Sequence, residues 1–125
     1  QLALAFGRQR IYSPYIGDLH SLPMQSHFEQ TLATFRELYD LKPELLVSDC
    51  HPGYLSHQWA KSYCQNEGAT HLEVQHHHAH LLAVMAEHDI RGPVLGFAFD
   101  GTGLGDDGTL WGGASNYGDD YGIAW

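Results

Sequence analysis

Near the middle of the chain lies the stretch Val74-Gln75-His76-His77-His78-Ala79-His80, which marks the change from a strand to a helix. On a helix, residues four positions apart share a face, so His76 and His80 are predicted to point at one small volume. This is the spacing with which two histidines on one helix bind a single metal ion. The positive end of the helix dipole also favours the neutral imidazole that can ligate. A solvated, histidine-rich helix start is the alternative, and the spacing alone does not decide between the two.

Outward from this stretch, segments with strand and helix periodicity alternate. Strands are predicted at residues 9–16, 44–48, 70–75 and 94–99, and helices at 23–41, 54–67 and 77–88. A turn is expected at Gly17-Asp18, a cap from Ser21 or Ser26 on the first helix, and a left-handed cap at Gly68 on the second. The run Leu45-Leu46-Val47 predicts a parallel strand covered on both faces. The element order indicates an α/β fold with a mixed sheet and crossover helices.

Ligands of such sheets bind beyond the carboxyl ends of the strands. Three chemically rich segments are expected at this edge: Asp49-Cys50-His51, His76-His77-His78 and Asp100-Gly101-Thr102-Gly103. Their convergence favours a functional site more strongly than any one of them alone.

The glycine-rich segment 100–109 is predicted to be a loop between strands at residues 94–99 and 109–113. Glycines let backbone N–H groups approach phosphate oxygens, and Asp100 could hold a metal ion or its waters. The segment is neither a Walker loop nor a dinucleotide-binding fingerprint, and an ordinary hairpin is the alternative. Asp106 and Asp107 would repel a nucleotide unless a cation lay between them.

Composition narrows the classes of partner. The chain has 125 residues and a net charge of −9 with six Lys and Arg, which argues against nucleic acid. We expect no membrane span and no signal peptide, and therefore a soluble, cytoplasmic protein. Cys50 and Cys64 are not spaced as a metal or redox pair and are expected to be free, buried thiols.

Several segments together resemble the HypF family, the carbamoyltransferases of nickel–iron hydrogenase maturation. These segments occur in the family order. The first two are Tyr15-Ile16-Gly17-Asp18-Leu19 and Ser48-Asp49-Cys50-His51-Pro52-Gly53-Tyr54-Leu55-Ser56. The other two are highly specific: Val74-Gln75-His76-His77-His78-Ala79-His80, and Phe99-Asp100-Gly101-Thr102-Gly103 with Leu110-Trp111-Gly112-Gly113.

The resemblance implies that residues 1–125 form about one lobe of the carboxyl-terminal, TsaD-like domain, which has an actin-like (ribonuclease H-like) fold. It implies a carbamoyl group passed from ATP-derived carbamoyl-adenylate to the carboxyl-terminal cysteine of HypE. A divalent metal, zinc or iron, would be held by His76 and His80. Asp100 would be catalytic, and the nucleotide and carbamoyl group would lie at Asp100, Gly101, Thr102, Gly103, Gly112 and Gly113. His51 has a weaker claim, because a structural His-Pro turn explains it equally well.

The resemblance has limits. The family usually has Glu where this chain has Ala114, and residues 114–125 are interpreted as a diverged tail. The isolated chain is expected to be inactive, since much of the two-lobed domain lies outside it. One alternative is a non-catalytic, histidine-rich module that binds metal or a partner in hydrogenase assembly. An actin-like sugar kinase is a third hypothesis, weakened because no base for a sugar hydroxyl is evident.

Overall fold

The computed structural model describes residues 1–17, 19, 21–119 and 122–124. The chain forms two compact units, the first made of Gln1–Leu46 and Gly53–Thr70, the second of Val47–Pro52 and His71–Trp125. Among the described residues there is no helix long and apolar enough to cross a membrane.

The first unit begins with a hairpin that the sequence analysis did not predict in full. β1 (Ala3–Phe6) pairs antiparallel with β2 (Gln9–Tyr12), and the tight turn places Gly7 at a φ of 56°. The predicted strand at residues 9–16 is therefore too long. It ends because the buried Ser13 hydroxyl accepts the Leu2 N–H at 2.9 Å and Pro14, which has no N–H, follows.

Two amphipathic helices supply the core of this unit. Phe28 and Leu32 of α1 (Leu22–Leu38) are buried, so the face of the helix that carries them belongs to the core. Phe28 packs edge-on against Trp59 of α2 (Leu55–Glu67), with ring centroids 5.7 Å apart. Aromatic packing of this kind stabilises beyond the area it buries.

The helix ends partly match the predictions. Ser21 occupies the N-cap position of α1, but its side chain makes no capping hydrogen bond. The helix stops at Leu38 rather than residue 41, because Asp40 adopts a φ of 48°. Gly68 takes the left-handed cap of α2 as predicted, with a φ of 74°. The predicted turn at Gly17-Asp18 lies partly outside the described residues.

The remaining elements are β3 (Leu45–Asp49), β4 (Thr70–Val74), α3 (His76–Glu87), β5 (Val94–Leu104), β6 (Leu110–Asp119) and β7 (Gly122–Ala124). β3 pairs with β4, and β5, β6 and β7 form an antiparallel sheet. The Thr70 N–H bonds the Glu44 carbonyl at one end of the first pair, and the Cys50 N–H bonds the Val74 carbonyl at the other. These two bonds show that β3 and β4 are parallel. The strand directions are therefore mixed, as predicted, but the described strands form several small sheets.

The prediction that β3 is covered on both faces is wrong for this chain. Leu45 and Val47 are 53% and 57% exposed, whereas Leu46 between them is half-buried. Successive side chains of a strand point to opposite faces, so one face of β3 is covered and the other is open.

The first half of the predicted loop at residues 100–109 is also strand, since β5 runs to Leu104. β6 extends through Asp119 instead of ending at Gly113, and it pairs with β5 as far as Leu104. The turn is confined to residues 105–109, where the Gly105 N–H bonds the Thr109 carbonyl at 2.8 Å. The segment interpreted as a tail thus supplies the end of β6 and β7, while Asp120, Tyr121 and Trp125 lie outside the described residues.

Candidate metal and carbamoyl site

The residues of the candidate site all belong to the second unit. α3 begins immediately after β4, with Gln75 as the single connecting residue. The Gln75 side chain accepts the His78 N–H at 2.9 Å and so satisfies one of the free donors of the first helical turn. This cap fixes where the helix starts, one residue earlier than predicted, and places His76 in its first turn.

His76 and His80 point to the same place, as the four-residue spacing predicts. Their ring centroids are 5.0 Å apart. The Asp100 Oδ2 atom lies 2.7 Å from His76 Nε2 and 3.3 Å from His80 Nε2. One nitrogen from each ring and one carboxylate oxygen lie within 4.8 Å of one another. The prediction that His76 and His80 point at one small volume is confirmed, and Asp100 lies beside both rings.

Hydrogen bonds shift the pKa values of His76 and Asp100 in opposite directions. Burial lowers the pKa of His76, but hydrogen bonds to Asp49 and Asp100 outweigh it and raise the pKa above its ordinary value. The Gly101 N–H, followed by the His76 ring, lowers the pKa of Asp100. Asp100 is therefore ionised at neutral pH and offers an anionic oxygen.

The donor set fits a divalent transition metal. Two imidazole nitrogens and one carboxylate oxygen suit zinc and ferrous iron, and three protein ligands leave positions open for water or substrate. The sequence analysis assigned His76 and His80 to the metal and Asp100 to the substrate. The geometry makes Asp100 a candidate for both roles.

Asp100 stands in a bulge of the β5–β6 pair. Phe99 pairs with Gly113 and Gly103 pairs with Trp111, so Asp100, Gly101 and Thr102 together face Gly112 alone. Extra residues on one strand bend it and redirect side chains, a device common beside active sites. The predicted substrate residues thus surround one irregularity: Asp100, Gly101, Thr102, Gly103, Gly112 and Gly113.

A buried network that the sequence analysis missed ties α3 to this hairpin. His77 is completely buried, and its Nδ1 atom lies 3.0 Å from Gln75 Nε2. The same amide nitrogen donates to the Leu104 carbonyl at 3.0 Å. Because Gln75 Nε2 can only donate, His77 Nδ1 accepts and the proton is on Nε2.

Trp111 completes the support from the other side. Its ring stacks on His77 with centroids 6.3 Å apart, and its indole N–H donates to Asp107 Oδ1 at 3.1 Å. Asp107 also accepts from the backbone and hydroxyl of Thr109, so its carboxylate closes the turn. The sequence feature that could have predicted this network is Trp111, a large aromatic residue among the glycines of a predicted strand, which could pack on the histidine-rich helix start.

The strand end after β3 contributes a residue that was not predicted. Asp49 reaches the cluster through a contact of 2.6 Å between its Oδ2 atom and His76 Nδ1. The His51 backbone N–H donates to Asp49 Oδ1 at 2.8 Å, which is the geometry of a local turn. Cys50 and Cys64 are free thiols as expected; Cys64 is buried and Cys50 half-buried.

The two glycines of the Asp100–Gly103 segment give a matched prediction. A methyl group at Gly103 would lie 2.7 Å from His77 Cε1 and 2.9 Å from His76 Cβ, which belong to the first turn of α3. We expect Gly103→Ala to destabilise the chain by about 1–3 kcal/mol, because neither group can retract without moving the helix. A methyl group at Gly101 meets nothing within 4 Å, so Gly101→Ala should leave stability nearly unchanged. Urea unfolding of both variants measures the difference, and equal midpoints would contradict the packing described.

Comparisons with known proteins agree with this architecture. The family model described as the HypF Kae1-like domain matches residues 1–87. The Synechocystis sp. protein named carbamoyltransferase HypF is 48% identical over 113 residues, which cover 90% of this chain and 14% of that protein. A Cupriavidus necator protein named carbamoyltransferase HypF2 is 37% identical over 112 residues, covering 90% of this chain and 14% of that protein.

Solved structures extend the likeness to the fold. A crystal structure of full-length HypF in the phosphate- and nucleotide-bound form superposes with a TM-score of 0.90 at 36% identity, covering 98% of this chain and 16% of that one. The T. kodakarensis HypF structure gives a TM-score of 0.83 at 33% identity, covering 92% of this chain and 15% of that one. The chain therefore spans about one-seventh of these relatives. Its fold is of the actin-like, ribonuclease H-like α/β class, and the chain belongs to the HypF family of carbamoyltransferases.

Proposed function

We propose that this chain supplies the metal and carbamoyl site of a protein that transfers a carbamoyl group from carbamoyl-adenylate to the carboxyl-terminal cysteine of HypE. The observation that carries the proposal is the convergence of His76, His80 and Asp100 beside the glycine-rich bulge of β5. Support also comes from the names of the relatives, which are carbamoyltransferases.

His76 Nε2, His80 Nε2 and Asp100 Oδ2 would hold a zinc or ferrous ion. The bound metal would polarise a phosphate or carbamoyl oxygen and stabilise the charge that develops during transfer. The Asp100 carboxylate would bind the metal through Oδ2, while its other oxygen, Oδ1, accepts the Gly101 N–H at 2.6 Å. The carboxylate is thereby held in one orientation beside the exposed backbone of Gly101.

The bulge gives a substrate close access to the backbone. Gly101 and Thr102 are exposed, and the space where a Cβ of Gly101 would point contains no atom within 4 Å. A carbamoyl or phosphate group can therefore lie against the main chain near Asp100. Asp107 accepts hydrogen bonds from Thr109 and from the Trp111 indole within the turn, and its carboxylate keeps its negative charge.

The donor triad is also compatible with a non-catalytic metal-binding module. That alternative gives no role to the bulge, whereas carbamoyl transfer needs a backbone surface beside the metal. The two functions differ in whether a folded, metal-loaded protein transfers the group.

The decisive experiment grafts this chain into a longer relative. In the Synechocystis protein, the 113-residue segment that matches this chain is replaced by the corresponding segment of this chain. Mass spectrometry then measures carbamoylation of the carboxyl-terminal cysteine of HypE. We expect the graft to transfer the group and the isolated chain to be inactive, because catalysis requires both reactants to be fixed in a closed cleft. If the graft folds and binds metal but does not transfer the carbamoyl group, the proposal is wrong and the non-catalytic metal-binding module is favoured. Turnover by the isolated chain would overturn the argument that it supplies about one lobe.

A further inference from the structure

Asp49 lies at the end of β3 and contacts one nitrogen of His76. Its Oδ2 atom is 2.6 Å from His76 Nδ1, whereas His76 Nε2 faces Asp100 at 2.7 Å. The two ring nitrogens therefore have different tasks. One faces the candidate metal position, and the other faces the end of a strand.

The Asp49 carboxylate is itself held in place. Its Oδ1 atom accepts the His51 backbone N–H at 2.8 Å, and its side chain is only 15% exposed. The Cys50 N–H, between these two residues, is bonded to the Val74 carbonyl of β4. The Asp49 carboxylate that contacts His76 is thus held by the His51 N–H, and the backbone next to it is held by the bond to β4.

A fixed carboxylate selects one form of the ring. Without a metal, both ring nitrogens face a carboxylate. With a metal beside Asp100, a proton on Nδ1 donated to Asp49 would leave the lone pair of Nε2 for the ion. That nitrogen points to His80 and Asp100. A carboxylate on the second nitrogen also makes the imidazole a stronger ligand, and its loss commonly costs 10- to 100-fold in metal affinity.

We propose that Asp49 is a positioning residue that fixes His76 in the tautomer and orientation required for binding the metal through Nε2. This inference rests on the metal site of the proposed function and adds a residue to it. Asp49 does not join the ligand cluster, since His76, His80 and Asp100 make up that group among the described residues.

The test measures metal binding rather than transfer. Zinc affinity of the whole chain is determined by competition with a chromophoric chelator for wild type, Asp49→Asn and Asp49→Ala. We expect a loss of about 10- to 100-fold for Asp49→Ala and a smaller loss for Asp49→Asn, which keeps one oxygen acceptor. The charge control is Asp89→Asn, a carboxylate that is 86% exposed just past the end of α3, which should change affinity by less than about threefold because water screens it.

Imidazole nitrogen NMR of the zinc-bound chain separates positioning from a merely structural role. Wild type should show His76 ligating through Nε2 with the proton on Nδ1, and Asp49→Ala should show both tautomers. A wild-type pattern in Asp49→Ala, or equal affinities of the two proteins, overturns the positioning role and leaves the metal site standing. Absence of zinc binding by the wild-type chain overturns the metal site and this inference together.

Discussion

Replacing Asp100 with alanine is expected to abolish carbamoyl transfer by a longer protein that carries this chain, while leaving the chain folded. The Asp100 carboxylate contacts both metal-site rings and lies at the bulge where the substrate is proposed to bind. Removing it deletes one candidate ligand and one fixed negative charge. Loss of a single preorganised polar group at a reacting centre commonly costs 100- to 1,000-fold, and Asp100 serves two such purposes, so we expect a loss of at least about 100-fold.

Folding should survive the change because Asp100 contributes little to a core. Its side chain is 34% exposed, and its partners are a backbone N–H and two partly exposed rings. The variant is made in the grafted protein, with carbamoylated HypE as the activity readout and the thermal midpoint as the folding readout.

Asp89→Ala is the matched control. It removes the same charge from a side chain that is 86% exposed and bonded to Arg91. Transfer by this variant should equal that of the unsubstituted graft. Full activity in Asp100→Ala would remove Asp100 from the site, and a large drop in its thermal midpoint would mean that its role is structural.

The strand ends explain why the sequence located the site. Val74 ends a strand, Gln75 caps a helix, and the four-residue spacing then forces His76 and His80 onto one face. The strand-end rule also locates Asp49, the last residue of β3, whereas Asp100 lies inside β5, at its bulge. Local patterns and topology therefore determined which residues meet.

What the sequence could not supply was the pairing partner of each strand. The bulge that turns Asp100 toward the helix depends on the register of β6, which shifts between Phe99 and Gly103. Glycines in residues 100–109 are equally compatible with a loop, and only the antiparallel partner makes them strand. The contact between Asp49 and His76 is likewise a long-range one that no local pattern encodes.

Burial of the strands was unpredictable for a related reason. The run of residues 94–99 indicates a strand, but small and large residues alternate along it. Gly96 is buried against α3, where a Cβ would collide with the Leu81 side chain, whereas Leu95, Phe97 and Phe99 are 62%, 62% and 91% exposed. The helix approaches the face with the small side chains, because that face permits close packing.

The second large effect is expected at the two histidines. We expect the chain to bind one divalent ion and the double change His76→Ala and His80→Ala to lower the affinity by more than about 100-fold. Loss of a group that merely supports a ligand costs up to about 100-fold, so loss of two ligands should cost more. The remaining carboxylate of Asp100 would hold the ion alone, beside water.

Calorimetric titration with zinc, nickel and ferrous iron measures this effect. His88→Ala is the matched control, since His88 is an exposed imidazole at the other end of the same helix and should not affect binding. Ten histidines give the chain other ways to hold a metal weakly, and the control measures one of them.

The metal should also stabilise the folded chain, because an ion bound by the native state alone raises the free energy of unfolding by about 2.7 kcal/mol at 100 times the dissociation constant. This gain should vanish in the double variant and persist in His88→Ala. Sub-micromolar affinity that survives the double change would place the ion on other histidines. In that case the pairing of His76 and His80 with Asp100 would be a hydrogen-bonded helix start, and the metal would have no part in holding the substrate beside the bulge.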